Sequence, residues 1–373
     1  METQLALSVL IRSGAGAAAL RTLLDAHGDA GAVLAAGMPA WRAAGLGAEA
    51  VARIAAPDAR ALALDAQWLA QPGHRLLGWH EGDYPALLRE VASPPAGLYL
   101  AGDARLLWRA QVAIVGSRAP TPGGREQAHA FARACAEAGV VVTSGLARGI
   151  DAAAHLGALE RGPTIAVLGN GIEECYPRSH RALLERIASE GVVLSEHPPD
   201  APSRRQHFPS RNRLIAGLSL ATLVVEAALQ SGALITARLA ADAGRDVCAL
   251  PGSVRNPLAR GCHQLIREGA ALVESPEEVL ALLAPLAARC ADSLRGARPA
   301  FDACAAWLPA PDDTAIADKG IAAILKAMSH DPVNLDQLCR RTGLTVAPLS
   351  AMLVALELEG KITAEHGRYT RRC

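Results

Sequence analysis

The sequence predicts an α/β protein: an extended Rossmann-like, doubly wound parallel sheet, flanked by a small helical N-terminal (SAM/helix-hairpin-helix-like) domain and a C-terminal winged helix. Three observations carry this. From Gln111 to about Leu283, short apolar β-branched runs alternate with helical stretches of roughly ten to fifteen residues, the pattern of a parallel sheet covered on both faces. Residues 1–70 are rich in Ala and Leu and broken by glycines, as a set of short helices would be. Residues 319–373 read as three helices followed by a hairpin. The boundaries expected are 1–70 helical, 71–284 Rossmann-like, 285–318 linker and 319–373 winged helix.

Bulk properties agree with a globular chain. At 373 residues, a prior of about 150 residues per domain suggests two or three domains. The chain is 51% hydrophobic and 20% charged with zero net charge, so any polyanion must be held by a local patch and not by a whole-molecule field. Aromatic residues make up only 3%, which favours phosphate contact over base stacking. None of the eight cysteines forms a C-x-x-C pair, so reduced thiols are expected and a metal or redox site is not. No secretory signal or membrane-length apolar run is seen, and a cytoplasmic protein without a membrane partner is expected.

In chain order, candidate helices are Leu5–Ile11, Ala17–Leu24, Ala30–Ala36 and Ala48–Ala56, with Gly45-Leu-Gly47 as the hairpin between two of them. A bridging segment from Trp79 to Leu100 reads as a turn, a short helix and one strand. The strands of the sheet are Val112–Val115, Val140–Thr143, Thr164–Leu168, Val192–Leu194, Thr222–Val225, Asp246–Leu250 and Ala271–Val273. The linker is proline- and alanine-rich. In the last domain, Ile321–Met328 is one helix, Asp331-Pro-Val-Asn334 caps a second over Leu335–Arg341, and Thr345–Glu359 forms the third. That third helix stands in the recognition position but carries no basic residue, so the domain reads as a docking or regulatory module and not a sequence reader.

The residues just after each strand point to the site. Gly116-Ser-Arg118, Ser144-Gly145, Gly169-Asn-Gly171, Ser195-Glu196, Glu226 with Ser231-Gly232, and Pro251-Gly252 all fall where the carboxyl ends of parallel strands form one edge. The loop after Ser195 adds Arg204, Arg205, Arg211 and Arg213, with no acidic residue from Ala201 to Val225. Read alone, that loop is either an anion site or a solvated basic surface. With Arg118, Arg125, Arg148 and the hydroxyls of Ser144, Ser231 and Thr236, the edge suits phosphate oxygens. The turn after the first strand is not G-x-G-x-x-G, no P-loop is present and no nucleophile elbow occurs, so no nucleotide cofactor is expected. Asp151 and His155, four residues apart on a helix, read as orienting the Gly145–Asp151 loop.

Val112-Ala-Ile-Val-Gly-Ser-Arg118, Ser144-Gly-Leu-Ala-Arg-Gly-Ile-Asp151, Tyr176-Pro177, Phe208-Pro-Ser-Arg-Asn-Arg-Leu-Ile-Ala-Gly-Leu-Ser219, Ser231-Gly-Ala-Leu-Ile-Thr-Ala237 and Leu250-Pro-Gly252 together resemble the DNA-processing protein family DprA, also called Smf. The resemblance implies a non-enzymatic single-stranded DNA-binding protein of bacteria, without a cofactor. It would protect incoming strands in natural transformation, load the RecA recombinase on them and act as a homodimer through the Rossmann-like domain. Carried over, Arg118 and Arg211-Asn212-Arg213 would contact the strand. Gly116, Ser117, Ser144, Gly145, Arg148, Ser231 and Gly232 would shape or donate to the same phosphate track. Gly171-Ile-Glu173, where the family usually has Gly-Leu-Asp, and Gly261-Cys-His263 depart from its pattern. The alternative is a nucleotide-binding enzyme resembling the lysine-decarboxylase-like family that hydrolyses nucleoside monophosphates. Its glycine pair and following Glu are lacking from Ala228–Thr236.

Overall fold

The computed structural model describes residues 2–294 and, beyond them, 324, 328, 333–342, 349, 352, 353, 356, 357, 362–365 and 368–371. The chain divides into two compact units, Met1–Trp307 and Leu308–Cys373.

The first unit opens with α1 (Glu2–Arg12), α2 (Ala17–His27), α3 (Ala30–Ala43), α4 (Ala48–Ala55) and α5 (Ala59–Leu69). Helix α3 bends at Gly37, whose φ of 71° lies in the region glycine tolerates best, two residues before Pro39. Helix α5 is absent from the sequence expectation. Its signal is Asp58 after Pro57, whose carboxylate caps the backbone N–H groups of Arg60 and Ala61.

Next come β1 (His74–Gly78), α6 (Ala86–Arg89), β2 (Gly97–Gly102), β3 (Gln111–Val115), α7 (Pro122–Glu137), β4 (Val141–Ser144), α8 (Ile150–Ala158), β5 (Thr164–Leu168), α9 (Arg181–Glu190) and β6 (Val192–Ser195). The unit continues through α10 (His207–Leu218), β7 (Ala221–Val224), α11 (Gly232–Asp242), β8 (Asp246–Ala249), α12 (Arg260–Arg267), β9 (Ala271–Leu272) and α13 (Pro276–Leu294). The nine strands form one sheet in the order β1-β2-β6-β5-β4-β3-β7-β8-β9. From β6 to β9 every pairing is parallel, and β1–β2 and β2–β6 are antiparallel.

All seven strands expected from the apolar runs are present, displaced by at most a residue or two. Strand β1, just before the bridging segment, is absent from the sequence expectation, because it is an edge strand with two polar residues in five. Its edge is covered from α1, where Gln4 Oε1 accepts the Leu76 N–H at 2.8 Å. The linker expected over 285–318 starts inside α13, which runs through Pro285 to Leu294; residues 295–318 lie outside the described residues.

The N-terminal helices are joined to the sheet by a buried polar network. Asp65 of α5 is fully buried and accepts two bonds from Arg12, from Nε and Nη2 at 2.6 Å each. It also accepts the Ser8 hydroxyl, which lies 3.1 Å from the Tyr99 hydroxyl on β2. Arg12 Nη2 also reaches Asp200, in the loop after β6, at 2.7 Å. A bidentate, charge-assisted pair of this kind holds geometry well but leaves a stranded charge when one partner is removed.

Helices α7 and α8 pack so closely that a Cβ on Gly157 would lie 2.1 Å from the His129 carbonyl oxygen. Two residues before it, His155 is fully buried and shares a 2.8 Å hydrogen bond with the Thr164 hydroxyl, while its Nε2 has no partner. Thus His155 anchors β5 and does not orient the loop before it. Burial, reinforced by the Arg211 and His180 charges, pushes its pKa down to about 3.

The second unit contains β10 (Val333–Asn334), α14 (Leu335–Thr342), β11 (Ile362–Glu365) and β12 (Arg368–Arg371), its sheet ordered β10-β12-β11. Asn334 and Gln337 form a reciprocal capping box at the start of α14, at 2.9 and 3.2 Å. Ile324, Leu338, Leu349, Leu353, Leu356 and Ile362 share its core. Most of the first and third helices expected in this domain lies outside the described residues.

Two buried groups lend themselves to measurement. Arg12→Met strands the Asp65 carboxylate and should cost about 3–5 kcal/mol in urea denaturation. For His155 the folded pKa lies below the ordinary value near 6.5, so between the two the unfolded chain holds a proton that the folded chain lacks. Stability should therefore fall as pH drops below about 6.5, and His155→Gln should remove up to about 1.4 kcal/mol per pH unit from that slope.

Candidate nucleic-acid interface

The chain reverses its direction of travel across the sheet between β3 and β7: β4, β5 and β6 extend one way and β8 and β9 the other. At such a switch point the loops leave a crevice beyond the carboxyl ends of the strands. Here the crevice is a cavity of about 400 Å³, lined by Gly116, Arg118, Asp151, Phe208, Arg211 and Ser231 among others.

Its first wall is the turn after β3. A Cβ on Gly116 would meet Ile150 at 2.7 Å and the Glu226 carbonyl oxygen at 2.9 Å, so only glycine fits. The Ser117 N–H donates to the Glu226 carbonyl at 2.7 Å, and the Ser117 carbonyl accepts the Ile150 N–H at 3.1 Å. The half-buried Ser117 hydroxyl accepts the Ala119 N–H at 3.2 Å. The buried Glu226 carboxylate then accepts the Thr121 N–H at 2.8 Å, the Thr121 hydroxyl at 2.7 Å and the Asn256 amide at 3.2 Å. Arg118 thus projects from a turn held at both ends. Its side chain is exposed and lies 5.8 Å from the centre of the Phe208 ring.

The second wall is the loop after β4. The Asp151 carboxylate accepts the Gly145 and Ala147 N–H groups at 3.2 and 3.3 Å through Oδ2, which is the orienting role expected of it. Burial raises its pKa, opposed by Arg211, by those two N–H groups and by Arg118. Arg148, on the same loop, is exposed and has no ion pair among the described residues.

The third wall is α10. Arg211 is 4% exposed and its Nη1 donates to the Gly145 carbonyl at 2.7 Å and to the Val167 carbonyl. It thereby ties together the carboxyl ends of β4 and β5. A Cβ on Gly145 would stand 2.1 Å from that Nη1, so the glycine exists to admit the arginine. Burial pushes the Arg211 pKa down to about 10, with the Asp151 carboxylate opposing the fall. The fourth wall is the start of α11, where the Ser231 hydroxyl accepts the Ala233 N–H and Gly232 is open to solvent.

The structure thus gathers Gly116, Arg118, Arg211, Asn212, Ser231 and Gly232 around one cavity, with Ser117, Gly145 and Arg148 in the loops that frame it. It separates others from it. Ser144 is fully buried and its hydroxyl donates to the Ile114 carbonyl at 2.6 Å, inside the sheet, so it has no proton to offer a phosphate. Arg213 does not line the cavity; it forms a bidentate pair with Glu196 at 2.6 and 2.9 Å and donates to the Ser93 carbonyl. Arg204 and Arg205 are exposed and also outside the lining. Asn212 makes only a 3.3 Å contact with the Gly232 carbonyl.

Sequence reading missed an aromatic surface. Tyr176 is 52% exposed and its ring centre lies 5.4 Å from that of Phe208. Phe208, at the start of α10, faces Tyr176 and Arg118. Nothing in the spacing marks this pair, because Tyr176 belongs to the loop after β5. Among the described residues, no group of three His, Cys, Asp or Glu could hold a metal ion, and no helix is long and apolar enough to cross a membrane. Cys135, Cys175, Cys248 and Cys262 are buried free thiols.

Comparison with known proteins places this site in a family. Residues 75–284 match the DNA recombination-mediator protein A family, and residues 308–368 match the DprA winged helix domain. Protein Smf of Escherichia coli is 40% identical over 306 residues, covering 82% of this chain and 79% of that one. DNA processing protein DprA of Streptococcus pneumoniae is 45% identical over 199 residues, covering 53% and 70%. The X-ray structure of that pneumococcal protein superimposes with a TM-score of 0.65 at 35% identity, over 75% of this chain and 97% of the other. DNA processing protein A from Helicobacter pylori, solved for its single-stranded DNA binding mode, gives a TM-score of 0.52 at 31% identity over 56% and 95%. The chain belongs to the DprA/Smf family of DNA recombination-mediator proteins, the family that its strand-end motifs resemble.

Proposed function

We propose that this protein binds single-stranded DNA along the carboxyl edge of its sheet and delivers it to recombination. The observation that carries the reading is an exposed arginine, Arg118, held by a rigid turn beside the half-buried Phe208, which lines a switch-point cavity and pairs with the exposed Tyr176. Arginine meets phosphate and aromatic rings take bases, and the two together are what a sequence-tolerant single-strand binder needs. Arg148 and the exposed Gly232 at the start of α11 extend the phosphate track. The relationship to a Helicobacter pylori protein studied for single-stranded DNA binding supports the same polymer.

In this reading Arg211 and Arg213 are framework, not strand ligands: one is buried in carbonyls and the other neutralised by Glu196. Gly116, Ser117, Gly145, Ser231 and Gly232 shape the track, and Asn212 borders it. The full role proposed is protection of incoming single strands in natural transformation and loading of RecA, by a homodimer formed through the central domain in the cytoplasm. Catalysis is no part of it. Incubation with nucleoside monophosphates, with release of free base as readout, tests the enzymatic alternative.

Binding to an oligothymidine strand, followed by fluorescence anisotropy from 50 to 200 mM salt, should weaken steeply. Replacing Arg118 and Arg148 together by Ala should lower the slope of log K against log salt by about 1.4, at about 0.7 per phosphate released. Unchanged slope and affinity would remove the site assignment. Phe208→Ala should cost about 1–3 kcal/mol of affinity and leave the slope as it was.

A further inference from the structure

We propose that His180, in the turn before α9, is a positioning residue for strand binding: through the Leu146 carbonyl it holds a strained turn that aims Arg148. The inference rests on the single-strand reading above and deepens it.

Among the described residues, Leu146 alone has a positive φ without being glycine, at 56°. A side chain is crowded in that left-handed region, and a leucine has no short polar group to bond its own backbone there. Such strain persists only where the surroundings over-determine it, and it gathers at functional sites. Here the surroundings are specific. The Leu146 side chain is fully buried, in the core that joins the N-terminal helices to the sheet. Arg211 holds the Gly145 carbonyl, and Asp151 accepts the N–H groups of Gly145 and Ala147. The Leu146 carbonyl completes the set, accepting the Nδ1–H of His180 at 3.0 Å. A carbonyl only accepts, so Nδ1 carries a proton whether the ring is neutral or charged.

What the strain achieves is a change of direction. The arc from Leu146 to Gly149 begins and ends in left-handed backbone, Gly149 having a φ of 83°. Gly149 lies against the turn after β3, where a Cβ would stand 2.3 Å from the Ser117 carbonyl oxygen. One end of the arc is therefore pinned to the turn that carries Arg118, and the other to His180, with the exposed Arg148 between them. A return of Leu146 to negative φ would swing its carbonyl off His180 and move Arg148 relative to Arg118. His180 itself is half-buried and is not part of the switch-point lining. It borders a separate cavity of about 600 Å³ over α7 and α8, with Arg125, Ala152 and Leu156. From there it is placed to act on the strand through Leu146.

The test is a double-mutant cycle, read by anisotropy with an oligothymidine strand across the same salt range. His180→Ala should weaken binding at least about threefold and lower the slope of log K against log salt by up to about 0.7, as Arg148→Ala does. Because His180 acts through Arg148, the double variant should bind within about twofold of Arg148→Ala alone, whereas the losses from His180→Ala and Arg118→Ala should multiply. His180→Asn, whose amide N–H can stand where Nδ1–H stands, should restore wild-type affinity and slope. His180 is also the N-cap of α9. His180→Ser, which can cap but is too short to reach Leu146, therefore takes the place of the Ala variant if that one does not fold. Wild-type affinity in His180→Ala, losses that multiply with Arg148→Ala, or failure of His180→Asn to restore binding overturns the positioning role and leaves the strand reading standing. An Arg148→Ala variant that binds as wild type does has the same consequence. Failure of the wild-type protein to bind the strand overturns the strand reading, and this inference with it.

Discussion

The contact on which the site depends is that of the Arg211 guanidinium with the carbonyl groups that end β4 and β5. Those carbonyls lie at the carboxyl edge, where parallel strands leave acceptors unpaired, and a buried acceptor without a donor is costly. One cation from α10 meets both. It then requires Gly145 to have no side chain and places a positive charge beside Asp151, and with that it sets the floor of the cavity. A buried charge of this kind is held by geometry more than it contributes net stability, since its desolvation offsets much of the gain. Its value to the molecule is position: β4, β5 and α10 cannot slide relative to one another without breaking it.

The same division of labour runs through the basic residues of the site. Charges given to the framework, Arg211 and Arg213, are bonded and screened from solvent. The exposed charges, Arg118 and Arg148, stand on turns whose backbones are fixed by other groups, Glu226 in one case and Asp151 in the other. A ligand cation on a rigid turn loses little conformational freedom on binding, and more of its interaction energy reaches affinity. The fold thus makes an electrically neutral chain present a local cationic edge.

Much of this was legible in the sequence. The seven parallel strands announce themselves because a strand buried on both faces must be apolar throughout, and the residues that come after them must then share one edge. Helix α5 and strand β1 were harder: one is an alanine-rich stretch opened by a single Asp cap, the other a short edge strand with polar residues. The site itself was legible as a set of positions but not as a set of roles. The run Arg211-Asn-Arg213 looks uniform in sequence, yet on a helix residues two apart point in different directions. One therefore enters the core and the other finds Glu196, a residue that spacing placed merely at the end of β6. Ser144 and Ser231 read alike too, though one hydroxyl is inside the sheet and the other caps a helix. The pairing of Tyr176 with Phe208 comes from the loop after β5 meeting the start of α10, which no local pattern encodes.

The link from Arg12 to Asp65 and Asp200 bears on how this protein can be divided. By composition the N-terminal helices look like a separable appendage. In three dimensions Arg12 fastens both its own helix bundle and the root of the loop that carries Arg204 and Arg205. A fragment beginning at β1 would lose that fastening, uncover Tyr99 on β2 and leave the loop's first anchor gone. The modules of this chain can be named separately, but the central sheet is not a natural unit to excise.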